Sequence, residues 1–202
     1  MSFFQNACKP RGAMGQLMLS MMNTGHSRLS RWGLSQISPG PGDNVLDVGC
    51  GGGANLRRLM KLCPQGFVTG LDYSPASVDY ARDYVRKEIA AGRGLVLQGD
   101  VSRLVYPDNT FDLVTAFETV YFWPDPRRCF HNIYKAMKPG GTFLICNEAD
   151  GAHPAQEKWT EKISGMVIYS GPQLEAMLRS AGFSDIRGIL DGQGYLAVIS
   201  RK

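Results

Sequence analysis

The chain has no run of apolar residues approaching the roughly 18 to 20 needed to cross a bilayer, and its opening MSFFQNACKPRG has no apolar segment of the signal-peptide kind. It is also short of cysteine chemistry. The five cysteines, Cys8, Cys50, Cys63, Cys129 and Cys146, are odd in number and show neither metal-ligand spacing nor the density of a disulfide scaffold. No metal is expected from them, and reduced thiols in a cytoplasmic protein are the plain reading. A net charge of +4 is a mild excess, and the basic residues occur singly or in pairs such as Arg57-Arg58 and Arg127-Arg128. Without a basic stripe, nucleic acid is not an expected partner. Internal repeats and low-complexity tracts are absent too. At 202 residues, what remains is one soluble, intracellular domain with enough apolar content for a continuous core.

What is present is a regular alternation. From Asp43 onward, short apolar runs at 44–48, 67–71, 94–98, 111–117, 142–147, 184–190 and 195–200 read as seven strands. Between them lie segments with apolar residues near helical spacing: Leu56, Leu59, Met60, Cys63; Val78, Ala81, Val85, Ile89; Phe130, Ile133, Met137; and Leu174, Met177, Leu178, Ala181. This pattern predicts an α/β domain, a mostly parallel sheet covered by helices on both faces. Met137-Lys138-Pro139-Gly140-Gly141 and Ser180-Ala181-Gly182-Phe183 read as helix stops. Only Asp191-Gly192-Gln193-Gly194 separates the last two strands, too little for a helical crossover, so they should form an antiparallel hairpin. Ahead of the sheet, Ala13, Met14, Leu17, Met18, Met21 and Met22 form a helical stripe, and residues 29–37 a second amphipathic stretch. These helices either fill the core or form a substrate lid. The expected division is an N-terminal helical cap over residues 1–38 and a core over 39–202.

The strand VLDVGCGGGAN at 45–55 enters a glycine turn that opens a helix. That arrangement brings backbone N–H groups and a helix N-terminus up to a ligand. Gly49-x-Gly51-x-x-Ala54 also satisfies the loose dinucleotide fingerprint, and Asp72 in GLDYSP stands at the distance where a carboxylate accepts from ribose hydroxyls. An adenosine-like ligand fits both an NAD-dependent oxidoreductase and other nucleoside-binding proteins. Three features separate them. Asp47, two residues before Gly49, places a carboxylate where a pyrophosphate would sit, repelling an anion and attracting an ammonium. Gln98-Gly99-Asp100-Val101 offers an acceptor for an adenine amine and a backbone donor for a ring nitrogen. The terminal hairpin is foreign to the all-parallel dinucleotide fold.

The ordered series VLDVGCGGG, GLDYSP, GDV, FDLVTAFETV and MKPGG resembles the class I S-adenosylmethionine-dependent methyltransferases, in particular the small-molecule type with a ubiquinone-biosynthesis-like core. The resemblance is strong over residues 39–146. It implies a Rossmann-like three-layer sandwich, a seven-stranded mostly parallel sheet with a C-terminal antiparallel hairpin strand, and an N-terminal helical lid. It further implies S-adenosyl-L-methionine as cofactor, leaving as S-adenosyl-L-homocysteine, and a small-molecule acceptor. Asp47 and the turn containing Gly49, Cys50, Gly51, Gly53 and Asn55 would hold the amino-acid end. Asp72 would serve the ribose, Tyr73 would pack beside the adenine, Asp100 with Val101 would read its edge, and Ser74 would also belong to the cofactor site. Phe117 and Glu118 would lie next to the transferring methyl. A non-catalytic module that binds the same cofactor to regulate a partner is the alternative.

A sulfonium carries its own leaving group, so such an enzyme mainly aligns the nucleophile and excludes water, with a base needed only for a protonated acceptor. The segment after the fourth strand, Phe117-Glu118-Thr119-Val120-Tyr121, lacks the Asn/Asp-Pro-Pro-aromatic turn of enzymes that methylate nucleic-acid bases or glutamine. That departure argues against those acceptors. Glu118, Tyr121 and His26 are the catalytic candidates, and Trp123, Asn147, Glu148, His153 and Tyr169 could also face the acceptor. His26 could instead cap a helical turn, and Tyr121 and Trp123 could simply pack the core. His131 reads as a surface residue, and Cys50 as backbone only, with nothing to lower its pKa.

Overall fold

The computed structural model describes residues 12–202. Cys8 and nearly all of MSFFQNACKPRG lie outside the described residues, as do the side chains of Ala13 and Met14. Seven strands form one sheet in the order β3-β2-β1-β4-β5-β7-β6. They are β1 (Asn44–Val48), β2 (Phe67–Asp72), β3 (Gly94–Gln98), β4 (Phe111–Phe117), β5 (Met137–Asn147), β6 (Ser184–Leu190) and β7 (Leu196–Arg201). Strands β3 through β5 are mutually parallel, while β7 runs antiparallel to both β5 and β6. The hairpin expected from the four-residue connection is therefore present, and its second arm is inserted between β5 and β6.

The helices are α1 (Gly12–Gly25), α2 (Ser27–Leu34), α3 (Ala54–Leu62), α4 (Pro75–Tyr84), α5 (Arg86–Ala90), α6 (Pro126–Ala136), α7 (Glu157–Lys162) and α8 (Gly171–Ala181). The strand side chains alternate between two cores, as buried parallel strands must. Leu46, Val114, Phe143 and Ile145 pack with Phe130, Ile133, Leu174 and Leu178 of α6 and α8 on one face. Val45, Leu113, Leu144 and Cys146 pack with Leu29, Leu56, Leu59, Val78 and Ala81 of α2, α3 and α4 on the other.

Three local expectations are revised. The inward face of α1 is Gly15, Met18, Leu19 and Met22, a set at helical spacing, while Leu17 and Met21 are more than half exposed. A stripe made of adjacent apolar pairs contains two possible faces, and packing against α4 selects one of them. The Val78-to-Ile89 stretch is two helices, because the backbone leaves helical geometry at Val85 (φ −109°, ψ 24°). Met137 does not end a helix before a tight turn. It begins β5, pairing with Phe111 ahead of an irregularity in register, so that strand is five residues longer at its start than 142–147.

Because β1 leads to β2 and β3 on one side and the chain then crosses to β4 on the other, a crevice opens beyond the C-terminal ends of β1 and β4. Helices α1 and α2 lie across that end, where Asn23 Nδ2 donates to the Gly52 carbonyl at 2.9 Å.

Candidate active site

The turn after β1 is tied to the end of β2. The N–H groups of Gly49 and Cys50 both donate to the Leu71 carbonyl, at 2.7 and 3.1 Å. Gly49 adopts φ +73°, and a Cβ there would meet Thr119 Oγ1 at 2.1 Å, so only glycine fits. Gly51, at φ +51°, has no atom closer than 4.0 Å to a built Cβ: its bare face borders open cavity. Its N–H donates to Asp72 Oδ2, and the N–H of Ser74 donates to Asp72 Oδ1, both at 2.9 Å. Burial raises the Asp72 pKa, and these two backbone donors oppose the shift. Beyond β3, Asp100 Oδ1 accepts from the Ser102 N–H and hydroxyl, each at 2.8 Å, capping a 3-10 turn at Val101–Arg103. Asn132 of α6 fixes that turn by donating to the carbonyls of Val101 and Ser102 at 3.1 and 3.0 Å.

These groups surround a cavity of about 320 Å³ bordered by Gly49, Gly51, Asp72, Tyr73, Asp100 and Val101 and closed by Leu19, Met22, Phe117, Phe122 and Trp123. A smaller cavity of about 60 Å³ shares Gly49, Gly51, Met22, Phe117 and Glu118 with it and reaches Asp47, Asn55, Arg58 and His26. Asp47 is 2% exposed, and its Oδ1 accepts from Thr115 Oγ1 at 2.6 Å across the β1–β4 pair. Burial pushes its pKa up to about 7. A wider polar cleft of about 570 Å³ lies at the opposite ends of the strands, where Asp112 is already paired with Lys138 at 2.8 Å.

Immediately past β4, Glu118 holds φ +58°, a conformation rare outside glycine. Its Oε1 accepts from the Tyr121 hydroxyl at 3.0 Å and from the Glu148 N–H, and the Tyr121 hydroxyl in turn accepts from the Ala149 N–H at 3.0 Å. Burial, with the nearby Glu148 charge second, raises the Glu118 pKa to about 8.

The family described as the methyltransferase domain matches residues 46–145, the span that carries Asp47, the glycine turn, Asp72, Asp100 and Glu118. The chain carries a class I S-adenosylmethionine-dependent methyltransferase domain. Over 110 residues it is 36% identical to cycloartenol-C-24-methyltransferase 1 of Oryza sativa subsp. japonica, an alignment covering 54% of this chain and 32% of that one. It is 32% identical over 147 residues to 27-O-demethylrifamycin SV methyltransferase of Amycolatopsis mediterranei, covering 70% and 54%. The chain thus spans about a third to a half of the length of these curated relatives. In three dimensions it superimposes on a chain from the complex of a Haloferax volcanii methyltransferase with a methyltransferase activator, with TM-score 0.82, 25% identity and coverage of 91% and 93%.

In the methyltransferase domain most of the residues singled out in the sequence border the two cavities. Asp47, Gly49, Cys50, Gly51, Asn55, Asp72, Tyr73, Asp100, Val101, Phe117, Glu118, His26 and Trp123 do so. Gly53 is the N-cap of α3, and Ser74, fully buried, caps α4 and donates to Asp72 from its backbone. Burial raises the Cys50 thiol pKa well above its ordinary value, against any nucleophilic role. His26 makes no side-chain capping bond at the start of α2. Tyr121 borders neither cavity; its ring is buried and its hydroxyl orients Glu118. Asn147 is fully buried at the end of β5, with neither side-chain polar atom hydrogen-bonded. His153 faces Asp150 at 3.0 Å in an exposed loop, Tyr169 packs against the α6–α8 core, and His131 is exposed on α6.

The sequence reading missed Thr115, Thr119, Asn23 and Arg58. Thr115 becomes Asp47's partner through strand register, and Thr119 fills the space that Gly49 leaves. Asn23 and Arg58 reach the site through long-range contacts to Gly52 and Ser27. Only Arg58, one turn into the helix that the glycine loop opens, had a local signal.

Proposed function

We propose that this domain moves a methyl group from S-adenosylmethionine to an apolar small molecule. The observation that carries the reading is the convergence of four strand ends on one elongated space: Gly49 and Gly51 after β1, Asp72 ending β2, Asp100 after β3 and Phe117 ending β4. The residues fit the cofactor. Gly51 leaves backbone bare on the cavity side, and carboxylates stand at both ends of the space.

When bound, the sulfonium supplies an activated methyl group. The chain's own residues bind, orient and exclude water. Asp72, oriented by the Gly51 and Ser74 N–H groups, would accept from the ribose hydroxyls. Asp100, held by Ser102, and Val101 would read the adenine edge, with Tyr73 beside it. Asp47, Cys50, Asn55 and the Gly49-to-Gly53 backbone would hold the amino-acid end. Glu118 and Phe117 would face the acceptor, Tyr121 would position Glu118, and His26 would approach from the lid. Residues 12–38 would act as that lid over the core of 39–202, with Leu19 and Met22 from α1 meeting Phe122 and Trp123 as an apolar wall. The curated relatives named for a sterol precursor and a rifamycin support an acceptor of this kind. Buried free thiols at Cys50, Cys63, Cys129 and Cys146 support a reducing, cytoplasmic setting.

Calorimetric titration with S-adenosylhomocysteine and with NAD tests the cofactor: binding of the homocysteine analogue alone is expected, and binding of NAD alone overturns the reading. An acceptor screen with coupled homocysteine detection should give turnover on apolar small molecules. Absence of turnover together with a stoichiometric co-purifying protein would favour a regulatory, non-catalytic module.

A further inference from the structure

We propose that His26, Glu118 and Glu148 form a binding site for one divalent first-row metal ion. The three residues are far apart in sequence and show none of the spacing by which metal ligands are read from a chain. The fold brings them together from three directions: His26 from the junction of α1 and α2, Glu118 from the turn after β4, Glu148 from the turn after β5. Their ligand atoms all lie within 4.8 Å of one another, close enough for one ion to draw them into a shared coordination shell. One imidazole nitrogen with two carboxylate oxygens is a donor set suited to manganese, iron or zinc.

The protein leaves this cluster electrically open. Among the described residues no lysine or arginine pairs with Glu118 or Glu148. The His26 ring has no hydrogen bond or ion pair among the described residues. Two facing carboxylates without a counter-charge repel each other, and a bound cation removes that cost. The support around the ligands is already built. Glu118 Oε1 accepts from the Tyr121 hydroxyl and from the Glu148 N–H, and the Glu118 N–H donates to the Cys146 carbonyl at 3.0 Å. These bonds fix the carboxylate as outer-shell partners fix metal ligands, and they lock the two glutamate turns to each other. Glu148 is exposed, which gives an ion a route in from solvent.

Three protein ligands leave open positions on the ion. His26 and Glu118 also border the smaller cavity, together with Asp47. If the proposed methyl transfer holds, an ion held by Glu118, the residue proposed to face the acceptor, would act as a Lewis acid that lowers the pKa of an acceptor oxygen and fixes its orientation. The metal site itself does not depend on that reading.

The test uses the full chain stripped with EDTA and titrated with manganese chloride, following the electron paramagnetic resonance signal of free Mn²⁺, with zinc chloride titrated in parallel by calorimetry. One ion per chain is expected. Glu148→Gln and His26→Ala should each weaken Mn²⁺ binding by at least about tenfold, since loss of an outer-shell partner alone costs about 10–100-fold. Retained S-adenosylhomocysteine binding by Glu148→Gln shows that the variant is folded, and it separates failure of the metal site from failure of the cofactor assignment. A melting temperature that rises with Mn²⁺ in the parent chain and not in Glu148→Gln would support the site without relying on the His26 variant. No saturable binding up to millimolar Mn²⁺ or Zn²⁺, or binding unchanged in both variants, overturns it.

Discussion

At the Asp72 end of the cavity each carboxylate oxygen accepts a hydrogen bond from a nearby backbone N–H, whereas at the other end Asp47 has one threonine hydroxyl and Glu118 faces Glu148. The first end is satisfied by its own turns and, in the proposed function, would take a neutral sugar and base. The second buries carboxyl groups with little counter-charge, Arg58 opposing the burial of Asp47 only in part, so an arriving cation would stabilise their ionised forms. The ammonium and sulfonium of the cofactor are cations of that kind.

The largest effect expected on breaking this arrangement lies in the turn joining the two ends. Gly49→Ala should lower stability by about 3 kcal/mol in urea denaturation, from the left-handed backbone and a Cβ 2.1 Å from Thr119 Oγ1. Adding Thr119→Gly should recover part of that loss. Gly51→Ala, in open space, should cost only the conformational term, about 1 kcal/mol. Equal losses at the two glycines would show that the contact with Thr119 is misjudged. Next, Asp72→Ala should weaken S-adenosylhomocysteine binding by about 1.5–3 kcal/mol, a charged acceptor being lost. Unchanged affinity by calorimetry would remove Asp72 from the site.

Asp47 should behave in the opposite sense on stability. Its folded pKa of about 7 lies above the ordinary 3.8, so between those values the folded chain holds a proton that the unfolded chain has lost. Stability therefore falls as pH rises through that window, and the penalty is complete above about 7. Glu118, raised to about 8, contributes with the same sign. The ligand-free protein should melt higher at pH 6 than at pH 8. Asp47→Asn should stabilise it by about 2 kcal/mol at pH 8, flatten that dependence and weaken cofactor binding. A variant that is less stable at pH 8 would contradict the burial argument. The smallest effect is expected for Tyr121→Phe, which removes the hydroxyl between Glu118 and the Ala149 N–H and should cost about 1 kcal/mol in chemical denaturation.

The same contrast separates what was legible in the sequence from what was not. The Asp72 end is made of contiguous motifs, so VLDVGCGGG, GLDYSP and GDV placed its residues directly. The seven strands were legible because buried strands are apolar runs bounded by turn residues, and the hairpin because four residues cannot hold a crossover. The other end arises from register and packing. Asp47 meets Thr115 only because β1 lies beside β4, and His26 meets Glu118 and Glu148 only because α1 and α2 fold over the strand ends. Spacing along the chain carries no trace of either meeting. The face of α1 was ambiguous for a related reason: adjacent apolar pairs specify two stripes, and the surface beneath chooses between them.

The place of β7 in the sheet has a bearing on how the domain comes into being. Strand β6 is made before β7, yet its neighbour in the sheet is β7, which also pairs with β5. When β6 leaves the ribosome there is no hydrogen-bonding edge for it to join. Strand β6 must wait unpaired until residues 196–201 slide in beside β5. Chains halted between Leu190 and Leu196 would therefore lose two strands rather than one, and would expose the β5 edge.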